Sequence, residues 1–193
     1  KMNTLKILIE ELGGKYFEEE LKKGHTPGGT FISQNSYGLI TKKSYSIRIY
    51  CFSNEGTRDS GTIEGTPYKL VLSFPFKFTL KYNLTIFPKS FIQKILSTLN
   101  QSKNRSREAQ SLLKKYNLRG NRALTNCILK DRFLTQIMPN HAIYISSKTH
   151  DKKSVISLTP NESILTVEDL KALYLIMDRL AEIIVENKSI LSK

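Results

Sequence analysis

The chain of 193 residues has no tryptophan, two cysteines, three histidines and only 17 acidic residues. Two thiols, Cys51 and Cys127, are too few for a disulfide-stapled scaffold and too far apart in sequence for a metal-spaced pair. Each falls inside an apolar pattern, the first strand-like and the second helical, and both read as separate buried thiols in a reducing compartment. His25, His141 and His150 lie in or beside turn-forming stretches without ligand spacing, so no bound metal is expected. No apolar run approaches the roughly 20 residues that span a bilayer as a helix. Residues 1–12 are charged and amphipathic where a secretory leader would be apolar, and the lysine ahead of Met2 reads as a tag remnant or the start of a fragment. The cytoplasm, or the cytoplasmic face of a membrane, is the expected compartment.

The signatures of common chemistries are missing too: G-x-x-x-x-G-K-[ST], G-x-G-x-x-G after a strand, G-x-S-x-G and H-E-x-x-H. No cofactor is expected and no catalytic residue is assigned. A metal-dependent nuclease needs carboxylates around a divalent ion and a lysine near the scissile phosphate. Asp169-Leu170-Lys171 has that form, but it falls where a helix begins, and helix capping accounts for Asp169.

What the chain does have is an alternating stretch. From Tyr68 to Ile86 every even position is apolar, while the odd positions carry Lys69, Ser73, Lys77, Thr79, Lys81, Asn83 and Thr85. Side chains alternate across a strand, so the pattern predicts one face on a core and one toward water. As one strand it would run about 60 Å, so it must bend or split, with Pro75 the natural place.

Elsewhere, residues 3–23 read as an amphipathic helix interrupted at Gly13-Gly14, with Leu5, Leu8, Ile9 and Leu12 on one face and Tyr16, Phe17 and Leu21 resuming it. Strands are expected between Thr30 and Phe52, with turns at 35–38 and 42–43, followed by a polar loop over 53–66. Helices are expected after Pro88, over 109–120 and over 125–138, then a hairpin at 142–158 and a closing helix at 166–187 capped by Thr166. Strands grouped between helices predict an α+β fold with a largely antiparallel sheet, its core closed by the long C-terminal helix. One domain over 1–193 is expected, with a weak subdivision near residue 88 between a sheet-rich part, 24–87, and a helix–hairpin–helix part, 88–193. The order of elements resembles that of some bacterial proteins, certain of them membrane-anchored, on no motif with known chemistry, and it implies no activity.

The charge of +13 is concentrated. Residues 67–153 hold 17 Lys/Arg against 3 Asp/Glu, a balance of +14, while 1–66 balance to +1 and 154–193 to −2. The densest run predicts a polyanion-binding surface made by Lys103, Arg105, Arg107, Lys114, Lys115, Arg119 and Arg122. The expected function is a non-enzymatic binding module for a polyanion such as nucleic acid. An envelope-associated accessory domain on an anionic membrane surface is the alternative, a nuclease the second, and a protein partner remains open.

Overall fold

The fold begins at Asn3, whose side chain caps the helix α1 (Thr4–Glu11) by accepting from the Lys6 N–H. The computed structural model describes residues 3–26, 29–56, 68–75, 83–90, 106–150, 153–164 and 166–188. Its strands are β1 (Lys15–Glu18), β2 (Lys22–Thr26), β3 (Gly29–Thr41), β4 (Ser46–Gly56), β5 (Tyr68–Ser73), β6 (Thr85–Pro88), β7 (Tyr116–Arg119), β8 (Ile143–His150) and β9 (Lys153–Pro160). The further helices are α2 (Arg107–Lys115), α3 (Arg122–Lys130), α4 (Arg132–Ile137) and α5 (Val167–Glu186). Among the described residues this is an α+β fold, with nine strands in one antiparallel sheet ordered β1-β3-β4-β5-β9-β8-β6-β7. β2 follows β1 along the same edge of β3. Strands from before and after Pro88 are neighbours: β5 pairs with β9, and β6 with β7 and β8.

The alternation predicted from Tyr68 onward holds wherever it is described. Tyr68, Leu70, Leu72, Phe74, Leu84 and Ile86 are buried, while Lys69 is exposed. β5 ends at Ser73, two residues before Pro75; positions 76–82 lie outside the described residues. Ile47 and Ile49 of β4, Ile156 and Leu158 of β9, and Ile143 and Ile145 of β8 continue this inner face. α5 lies on it through Leu170, Leu173, Met177, Leu180 and Ile184, held at its start by a capping box between Thr166 and Asp169. The capping reading of Asp169 therefore stands: it accepts from Thr166 N–H at 3.3 Å and its own N–H donates to Thr166 Oγ1 at 3.1 Å.

Two polar anchors fix α5. Asp178 accepts from Lys42 Nζ at 2.6 Å and from the Tyr45 hydroxyl at 2.7 Å, tying the β3–β4 turn to the helix. Asp131 ends α3, caps α4 by accepting from Leu134 N–H at 2.8 Å, and pairs with Arg179 Nε at 2.8 Å. The stretch expected as one helix over 125–138 is thus two, because Asp131 leaves helical geometry to serve both ends. The first of them begins earlier than expected, capped by Asn121.

Four other expectations are corrected. Residues 15–18 and 22–26 are strands rather than a resumed helix, since Gly13 turns the chain at φ 65° and the segment then pairs with β3. Residues 35–38 form no turn; β3 runs straight through them, paired on both sides. Gly38 serves packing instead, as a Cβ there would sit 2.1 Å from Ile9 Cδ1. Residues 53–56 belong to β4 rather than to a loop, and Tyr116–Arg119 form β7 rather than the last part of a helix over 109–120. The helix expected just after Pro88 falls on residues 91–105, outside those described.

Buried phenols give this core an alkaline limit. Burial pushes the Tyr68 and Tyr116 hydroxyls up to about 12, and burial with the Asp178 carboxylate raises Tyr45 further. Each folded-state value lies above the unfolded value of about 10, so their contribution is full below pH ~10 and is lost as the pH rises through that window. Every proton so linked costs about 1.4 kcal/mol per pH unit there. The melting temperature is expected to stay level from about pH 7 to 9 and to fall steeply above about pH 10. A melting temperature unchanged to about pH 12 would contradict these placements.

Candidate nucleic-acid interface

Sheet register decides which residues share the face opposite the helices. One row runs across eight strands: Lys15, Leu39, Arg48, Val71, Ser157, Ser146, Thr85 and Arg119, each opposite the next. The adjacent row holds Phe17, Tyr37, Tyr50 and Lys69 on β1, β3, β4 and β5. None of these residues is buried, and no helix among the described residues covers them. Among the described residues the sheet thus has an inner face closed by helices and an outer face that none of them covers.

The outer face is aromatic and basic. Phe17 stacks on Tyr37 with ring centroids 4.8 Å apart, Tyr37 lies 6.0 Å from Tyr50, and Tyr50 stacks on Phe52 at 5.9 Å. Arg48 sits in the row, its guanidinium 5.2 Å from the Tyr37 ring and 5.8 Å from the Tyr50 ring, donating to the Tyr50 hydroxyl at 3.0 Å. Phe17 and Phe52 are 38% and 42% exposed, and Tyr144, further along the face on β8, is 44% exposed. Lys15, Lys22, Arg48, Lys69, Arg119 and Lys148 all take outer-face positions and all are exposed. No described outer-face position on the strands is acidic. Glu19, between β1 and β2, reaches the rim, where it accepts from Asn35 Nδ2 at 3.2 Å.

The basic run read from the sequence divides between the two sides. Lys103 and Arg105 lie outside the described residues. Arg107 and Lys114 are exposed on α2, two turns apart on one side of that helix. Lys115 is half-buried and donates from Nζ to the Pro139 carbonyl at 2.7 Å. Arg122 is exposed at the start of α3. α2 and α3 pack through Leu112, Leu124 and Ile128 into the core under the inner face. Arg119 points the other way, onto the open face, its guanidinium 5.2 Å from the Phe87 ring. Five residues close in sequence are therefore not one surface, and five strand-borne cations distant in sequence share a face with Arg119.

Cys51 and Cys127 are both free and half-buried, and burial pushes the Cys51 thiol up, which keeps it protonated and unreactive. Among the described residues no three His, Cys, Asp or Glu are grouped so as to hold a metal ion, and no helix is long and apolar enough to cross a membrane. His141 lies against the Glu162 carboxylate at 3.4 Å, beside the hydrogen bond from the Tyr116 hydroxyl to its own carbonyl. No protein-family model matches the chain, and neither does any curated protein or solved structure compared with it.

Proposed function

We propose that the protein is a non-enzymatic binding module whose open sheet face holds a polyanion, nucleic acid foremost. The supporting observation is the six exposed basic residues on that face with no acidic residue among its described strand positions. Cations spread over strands about 4.8 Å apart create a continuous positive field, and each phosphate they neutralise releases counterions. Residues of the helical side, Arg107, Lys114 and Arg122, add to the long-range attraction without lying on the same surface.

Binding of a labelled oligonucleotide across a salt series tests this reading. Affinity is expected to fall with salt by about 0.7 log unit per decade for each phosphate held on a single strand, and by about 0.9 on a duplex. Four or more contacts would give a slope of magnitude about 3 or steeper. No binding at low salt, or binding to anionic vesicles without binding to the oligonucleotide, would overturn it; the second outcome would favour a membrane-surface role.

A further inference from the structure

The open face carries more than charge, because its cations are interleaved with rings. Resting on the polyanion reading above, we propose that the occupant is single-stranded nucleic acid whose unpaired bases stack on the rings of Phe17, Tyr37 and Tyr50, which form one row across the sheet, and of Phe52, beside Tyr50 along β4. A duplex keeps the faces of its bases inside the helix and offers a flat surface only phosphates and groove edges. An unpaired strand can lay its bases on aromatic rings, and every base has a face to stack.

The geometry suits that substrate in three respects. The rings lie on adjacent strands β1, β3 and β4, so the row continues across the sheet rather than standing as one isolated side chain. Lys69 ends the ring row on β5, and Lys15 and Arg48 occupy the row beside it, so cations flank the rings where a backbone would pass. From β1 to β4 the rings span two strand spacings, about 10 Å. That is room for the two or three bases that a sheet platform stacks. Arg48, seated between Tyr37 and Tyr50, combines both functions: it holds the rings and carries charge at the centre of the platform.

Cross-strand ring pairs also stabilise a sheet on their own account, so the test needs readouts that a merely structural row would not move. With no tryptophan and nine tyrosines, the intrinsic fluorescence of the chain comes from tyrosine. The experiment compares a short unstructured single strand, a hairpin duplex of the same length, inorganic polyphosphate and phosphatidylserine vesicles, at about 50 mM salt. The single strand is expected to bind at least about tenfold tighter than the duplex and to quench tyrosine fluorescence, while polyphosphate does not quench. Tyr50→Leu and Phe52→Leu are each expected to weaken single-strand binding about five- to 150-fold, with Tyr50→Phe close to wild type. Circular dichroism and melting of each variant establish that it is folded. If the duplex or polyphosphate binds as tightly as the single strand, and Tyr50→Leu binds within about twofold of wild type, base stacking is overturned while the polyanion reading stands. If none of the phosphate polymers binds, or vesicles alone do, both are overturned.

Discussion

Gly120→Ala is expected to destabilise the protein by roughly 2–4 kcal/mol, combining backbone strain and overpacking. Gly120 leaves β7 with φ 134°, a conformation that side-chain-bearing residues rarely adopt. A Cβ there would meet Asn83 O at 2.7 Å and Leu84 Cα at 2.9 Å. Both are backbone atoms, and they lead directly into β6, with Leu84 fully buried and its N–H donating to Ser147 Oγ at 2.7 Å. Neither can move aside as the tip of a flexible side chain would. Gly13→Ala is the control. Gly13 also has positive φ, at 65°, but nothing lies within 4 Å of its Cβ position. It should lose only the left-handed penalty of about 1–2 kcal/mol. Urea unfolding of both variants checks the pair; equal losses would show that the close approach of β7 to residues 83–84 is not as described.

How far the sequence alone leads can be seen at particular residues. Tyr68 to Phe74 is legible because one face of β5 is buried and the other is not, so the period of two survives in the sequence. The α5 cap is legible because Thr166 and Asp169 carry their own chemistry wherever the rest of the chain lies. The edge strand β1 is not legible. Tyr16 and Phe17 fit a helical spacing as well as a strand, and only pairing with β3 decides. Asn35-Ser36-Tyr37-Gly38 has turn composition, but the glycine is there for the approach of Ile9, a contact made across the fold.

The candidate site divides in the same way. A run of charge is visible by counting, so residues 103–122 stand out in the sequence. The open face takes its exposed cations one to a strand, at Lys15, Lys22, Arg48, Lys69, Arg119 and Lys148, and only the register brings these together. A local signal for the rings does exist. Arg48 and Tyr50 occupy the solvent-facing parity of β4, opposite in phase to Ile47 and Ile49, and a tyrosine on the wet side of a strand has no core to fill.

The central claim is that a polyanion lies on the open sheet face and not along α2 and α3. Two charge-reversal sets of equal size separate these surfaces. The first is Arg48→Glu, Lys69→Glu and Arg119→Glu, on the sheet; the second is Arg107→Glu, Lys114→Glu and Arg122→Glu, on the helices. All six residues are exposed, so both sets should keep the wild-type fold and melting behaviour. At about 0.1 M salt each lost phosphate contact on a single strand is worth about fivefold, so the sheet set is expected to weaken oligonucleotide binding about a hundredfold and to lower the salt slope by about 2. The helix set, acting only through the long-range field, should cost less than about tenfold and leave the slope nearly unchanged. Titrating the same labelled oligonucleotide into both variants is the most direct measurement. A sheet set that binds like wild type, or a helix set that loses the larger share, would contradict the account.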